Sequence, residues 1–149
     1  MMDAHSPTDD DLRATFLSVR RVAVVGFSHK PTRPSHGVAQ YLFELGYEVL
    51  PVNPGLAGQT YFGVQVAASL RDLGEPVDMV DVFRRSEYLP EIVADMRAMK
   101  TLPGVLWTQL DVVHNGAAQA ARTAGMRVVQ NRCPRIEIPR LFPPGWSRV

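Results

Sequence analysis

The segment Gly26-Phe27-Ser28-His29-Lys30-Pro31-Thr32-Arg33-Pro34-Ser35 gathers a glycine, three hydroxyls, two fixed cations and two prolines within ten residues. Those residue types at that spacing suit a multiply charged anion. Glycine lets a ligand approach the backbone, the amides opening a following helix carry partial positive charge, and an arginine grips a phosphate through two parallel bonds. Pro31 and Pro34 stiffen the loop before binding, which lowers its ordering cost. Ser35 reads in addition as the cap of the next helix.

The same residues exclude other chemistries. In a dinucleotide fingerprint Gly-x-Gly-x-x-Gly, Ser28 stands in place of the second glycine and Pro31 in place of the third. The next strand ends in Val52-Asn53-Pro54, with no acid for a ribose hydroxyl. Lys30 takes the last glycine position of a serine-hydrolase elbow, and no Walker pattern is present. His5, His29, His36 and His114 show no metal-ligand spacing. Asp78 and Asp81 are an odd number apart on one strand, so they face opposite ways and form no acid/base pair. The lone thiol, Cys133, follows Arg132, a neighbour that would favour a thiolate, but a single cysteine also packs as a small hydrophobe. Glu137 reads as a structural cap or an arginine partner.

The elements that must position these groups follow from periodicity. Thr8-Asp9-Asp10-Asp11 ahead of Leu12, Phe16 and Leu17 predicts a capped amphipathic helix. Arg21–Val25 is a β-branched run closed by Gly26, the pattern of a strand buried on both faces. Ser35–Gly46 carries apolar residues at 38, 41, 42 and 45 and predicts a helix. Strands are expected over 48–52, 79–83, 105–107 and 127–129, with helices over 86–100 and 115–124. Strand ends recur every 22 to 31 residues, the spacing of strand–helix units. The fold class is therefore α/β: a Rossmann-like three-layer arrangement around a mostly parallel sheet of about five to six strands. Residues 60–62 are expected to add a short strand and 66–73 a short helix. In such a sheet ligands sit outside the carboxyl ends of the strands, which places Phe83, Arg84, Trp107 and Gln109 beside the loop.

The chain has 149 residues, 46% of them hydrophobic, enough for one domain with a core of its own. The tails 1–7 and 143–149 are expected at its periphery. Sixteen basic residues against fifteen acidic ones give a formal net charge of +1, too little to hold nucleic acid or an anionic membrane. The first residues show no basic start with an apolar run, and a single cysteine forms no internal disulfide, so the cytoplasm is the expected compartment.

Taken together, Val25–Ser35 with Gly46–Pro54, then Asp78–Arg85, Val105–Gln109 and Val128–Cys133 resemble the small CoA-binding domain proteins, bacterial relatives of the CoA-binding part of the succinyl-CoA synthetase alpha subunit. Five ordered blocks carry the resemblance across roughly residues 15 to 142. It implies a Rossmann-like sheet that binds coenzyme A by its ADP portion. It implies that Gly26, Phe27, Ser28, Lys30, Arg33 and Ser35 surround the phosphates and that Asn53 and Pro54 shape a second wall. Phe83 and Arg84 would flank the adenine, the guanidinium by stacking. Trp107 and Gln109 complete the expected set. The chain departs from similar proteins at Asp111-Val112, where a Gly-Ile pair is usual, and at Gln130-Asn131. The expected function is a CoA- or acyl-CoA-binding module without a catalytic set. The alternative is an enzyme, either an NAD(P)-linked oxidoreductase or an acyl or thiol transferase using Cys133. A homodimer or another protein partner stays open.

Overall fold

The computed structural model describes residues 6–148. The expected loose start at 1–7 therefore falls mostly outside the described residues. Helix α1 (Asp9–Ser18) opens the fold with a capping box: Thr8 accepts from the Asp11 amide while the Asp11 carboxylate accepts from the Thr8 amide. Such a cap stabilises a helix by about 1 kcal/mol. Strand β1 (Arg21–Val25), helix α2 (Pro34–Glu44) and strand β2 (Glu48–Val52) follow, then a two-stranded hairpin of β3 (Thr60–Tyr61) and β4 (Val64–Gln65). Strand β5 (Met79–Val82), helix α3 (Leu89–Ala98), strand β6 (Val105–Thr108), helix α4 (Asn115–Thr123), strand β7 (Arg127–Val129) and helix α5 (Pro134–Leu141) complete it.

The five long strands form one parallel sheet in the order β2-β1-β5-β6-β7. The chain moves outward from β1 to β2 and then crosses back to β5 on the other side of β1. The order therefore reverses at β1 and β5, and the crevice between their carboxyl ends is where such sheets take ligands. Alternate residues feed two cores. Val22, Val24, Met79, Trp107 and Val129 pack with α1, α2 and α5, whereas Ala23, Val25, Val80, Val82 and Val128 pack with α3 and α4. Burial on both faces explains why these strands read as continuous apolar runs.

Several expectations are corrected. Ser35 does not cap α2, whose N-cap is Arg33 without a side-chain bond; the Ser35 hydroxyl is instead buried inside the loop. The helix expected over 66–73 shrinks to a single 3₁₀ turn at Leu70–Asp72, because Ala67 bridges to Val52 beside β2. Leu17, counted toward the apolar face of α1, is 57% exposed. Helix α5 was not anticipated. The tail after α5 is tied down: Trp146 stacks on Phe142 at 4.0 Å, and the Arg148 amide donates to the Leu45 carbonyl. Among the described residues no helix is long and apolar enough to cross a membrane.

Candidate functional site

The loop after β1 is pinned from three sides. The Gly26 and Phe27 amides both donate to the Val52 carbonyl, joining the loop to the end of β2. Asn53 closes that corner, its Nδ2 donating to the Phe27 carbonyl at 2.6 Å and its Oδ1 accepting from the Gly55 amide at 2.8 Å. Ser35 Oγ accepts from the Ser28 amide at 3.0 Å, and Ser28 Oγ accepts from the Lys30 amide at 3.1 Å. The Ser28 carbonyl accepts from His36 Nδ1 at 2.9 Å, which fixes the proton of that ring on Nδ1. The loop is thus shaped by its own hydrogen bonds.

Gly26 is required by both conformation and space. Its φ is +86°, and a Cβ there would meet Arg84 Cγ at 3.1 Å and the Phe83 carbonyl carbon at 3.4 Å. Gly26→Ala is expected to cost about 1–2 kcal/mol through left-handed strain and displacement of the Phe83-Arg84 corner. A urea titration checks it; an unchanged midpoint would remove the close-approach argument.

These constraints enclose a cavity of about 450 Å³ at the carboxyl ends of β1, β5 and β6. Of the twelve expected site residues, it gathers Gly26, Phe27, Ser28, Lys30, Arg33, Ser35, Asn53, Phe83 and Gln109. Pro34 and Ser35 also line it, so the positive end of α2 faces the space. Neither Lys30 nor Arg33 is paired with a carboxylate among the described residues, and both are exposed. A second cavity of about 390 Å³ shares Gly26 and Asn53 with the first and adds Pro54, Ser69, Arg84, Ile92 and two acids, Glu91 and Asp95. Arg84 Cζ lies 3.9 Å from the centre of the Tyr88 ring, a cation–π contact that anchors its guanidinium beside that space.

Two expected site residues take structural places. Trp107 is wholly buried, packs on Phe16 with ring centroids 5.1 Å apart, and donates through Nε1 to the Arg132 carbonyl. It lines neither cavity, and this corrects its place in the expected set. The Phe27 ring is also wholly buried and stacks on His36. Phe27 therefore acts as a strut under the loop. Cys133 is 8% exposed at the N-cap of α5, and the neighbouring Arg132 guanidinium is engaged by Glu137 at 2.8 Å. Glu137 has the arginine partner anticipated for it.

The sequence reading missed Leu110 and Val112, which form the apolar side of the first cavity, and Glu91 and Asp95 in the second. Leu110 and Val112 follow Gln109 directly and were findable from the strand-end rule; the acids on α3 became neighbours only through the tertiary fold. A third cavity, about 850 Å³, runs along the outer edge of β2 beside Leu50, Phe62 and Leu73 and holds none of the expected site residues.

Asp81 completes the inventory. It is wholly buried in the middle of β5, between Val24 of β1 and Trp107 of β6, and neither carboxyl oxygen has a hydrogen-bond partner. Burial pushes its carboxyl well above the usual carboxylate range. Asp78, by contrast, accepts from the Arg20 and Arg21 amides at the opposite end of the strand.

An open parallel sheet whose order reverses beside a glycine-cornered, cation-bearing loop defines a Rossmann-like α/β protein. A family model for the CoA binding domain matches residues 20–139, and the chain belongs to that family. It is 34% identical over 131 residues to the uncharacterized protein YneT of Bacillus subtilis (strain 168), covering 88% of this chain and 94% of that one. Among solved structures, cell-free ID.343 from Thermus thermophilus is 42% identical with a TM-score of 0.86, covering 91% of this chain and all of the other. A hypothetical protein from Pyrococcus horikoshii OT3 is 31% identical with a TM-score of 0.85, covering 95% of this chain and 96% of its own.

Proposed function

We propose that the protein is a binding module for coenzyme A or an acyl-CoA, the whole chain acting as one such unit. The observation that carries this reading is the pair Lys30 and Arg33. Among the described residues they have no carboxylate partner, and they stand at a preshaped loop beside the strand-order reversal. The diphosphate and 3′-phosphate of the ligand lie along Gly26, Ser28, Lys30, Arg33 and Ser35. Its adenosine occupies the second cavity, where Glu91 and Asp95 repel phosphate but accept from hydroxyl and amino groups. Asn53, common to both cavities, and Pro54 wall the second one, where Arg84 borders the adenine, while Phe83 lines the first cavity on the phosphate side. The buried state of Cys133 and the engagement of Arg132 by Glu137 support binding rather than thiol chemistry.

Calorimetric titration with CoA, dephospho-CoA, NAD and NADP tests this. CoA is expected to bind tightest, and dephospho-CoA about tenfold more weakly, through loss of a charge-assisted bond. NAD or NADP binding as tightly as CoA would overturn the assignment in favour of the oxidoreductase reading.

A further inference from the structure

Only three buried side-chain oxygens and nitrogens lack a hydrogen-bond partner among the described residues: Asp81 Oδ1, Asp81 Oδ2 and Gln109 Oε1. They belong to one place. Asp81 lies opposite Trp107 in the β5–β6 register, and the Gln109 amide donates to the Val82 carbonyl, continuing that ladder one step past the strands. The backbone N–H of Gln109 carries the ladder one residue beyond β6, and Gln109 shares its cavity with Phe83, which lies two residues after Asp81 and so on the same side of β5. Gln109 follows β6 directly, and the register carried one step past the pair Val82 and Thr108 sets it opposite Phe83 and diagonal to Asp81.

The chemistry of the two groups is complementary once the carboxyl is neutral. A carboxylate with no charge partner and no hydrogen bond is unsustainable in a buried place, so the acid keeps its proton. A neutral carboxyl has one O–H to give, and Gln109 Oε1 is the acceptor that nothing else satisfies. Gln109 is 7% exposed and borders the cavity that carries Lys30 and Arg33. With Oε1 held from below, the remaining hydrogen-bonding part of the amide is Nε2, whose two donors turn toward the cavity. An ionised acid in this position would instead oppose the phosphates that the two cations attract.

We propose that Asp81 is a positioning residue for ligand binding: as a neutral acid it donates to Gln109 Oε1 and so aims the Gln109 amide N–H groups at an anionic or carbonyl oxygen of the ligand. This rests on the CoA reading for its ligand, but the hydrogen bond belongs to the free protein. Two experiments therefore separate the two claims.

Infrared difference spectra of the ligand-free protein read the bond itself. The expected result is a protonated-carboxyl C=O band that is lost in Asp81→Asn and shifted in Gln109→Leu. Absence of the band in the parent protein, or its indifference to Gln109→Leu, would overturn the proposal whatever the protein binds. Titration with CoA reads the consequence. Asp81→Val, which removes the donor, is expected to weaken binding about tenfold, the effect of one oriented hydrogen bond. Asp81→Asn, which keeps an N–H donor, restores most of it. Asp81→Val binding like the parent, or Asp81→Asn binding as weakly as Asp81→Val, would overturn it. Failure of the parent protein to bind CoA would instead sink the function proposed above and leave the infrared result standing.

Discussion

Replacing Lys30 and Arg33 together by alanine is expected to lower the affinity for coenzyme A by roughly a hundredfold while leaving the fold intact. Each side chain contributes one charge-assisted hydrogen bond to a phosphate, and such bonds are worth about 1.5–3 kcal/mol. Both residues are exposed, so solvent screens them and the lower end of that range applies. Two bonds at about 1.5 kcal/mol give about 3 kcal/mol, or two decades of affinity. Among the described residues neither cation forms an ion pair, so the folded state loses nothing comparable. Thermal melting of the double variant should stay within about 0.5 kcal/mol of the parent, as for surface changes that break no contact. The salt dependence provides a second readout. If the cations meet phosphates, the parent affinity falls with ionic strength and that of the variant falls less. An affinity within threefold of the parent would remove Lys30 and Arg33 from the site.

The sheet was legible because its strands carry their burial in their composition. Arg21–Val25 and Met79–Val82 are buried on both faces, so almost every residue is apolar, and no register is needed to recognise them. Helix α5 has no periodicity that announces it, and it carries Pro134 and Pro139, residue types that ordinarily interrupt helices. Pro134 stands at the first helical position, where a missing N–H removes no bond, and the helix runs only eight residues. The hairpin between β3 and β4 was half visible. Its turn places Phe62 at φ 55° ahead of Gly63, an unusual residue for that conformation, held by ring contacts with Phe27 and Phe43. No local rule announces a turn that depends on distant aromatics.

The candidate site divides in the same way. Lys30, Arg33 and Ser28 were legible from residue type at a strand end, since anion chemistry needs donors where the chain turns, whereas Asn53 entered only through the family resemblance. The role of Ser35 was not, because a serine at a helix start looks the same whether it bonds its own helix or the Ser28 amide. Trp107 and Gln109 are two residues apart, yet one is core and the other, just past the end of β6, borders the cavity. Depth along the strand decides between them, and only the assembled sheet supplies it. Asp81 carried a signal of its own, a carboxyl in the middle of an otherwise apolar strand, and alternation already separated it from Asp78.

That carboxyl also dictates how stability depends on pH. In the unfolded chain Asp81 titrates near the ordinary aspartate value of about 3.9. Burial raises it well above that in the folded protein, where desolvation opposes the charged form. Above the unfolded value the native state therefore binds one more proton than the unfolded state at this position. Stability from this group is fully present at low pH and declines as pH rises through the window up to the native titration point. The decline is about 1.4 kcal/mol per pH unit. Asp81→Asn keeps the shape and a donor but cannot ionise, so it removes that slope. The variant is expected to match the parent near pH 4 and to become progressively more stable than it as pH rises. Urea unfolding at half-unit pH steps, with both proteins in the same buffers, isolates the difference from every other ionisable group. Paired carboxylates such as Asp9, held below the usual range by Arg140, give the opposite trend in both proteins and cancel in the subtraction. A difference that stays flat across the series would mean that Asp81 ionises with the ordinary carboxylates, and the buried neutral acid would have to be abandoned.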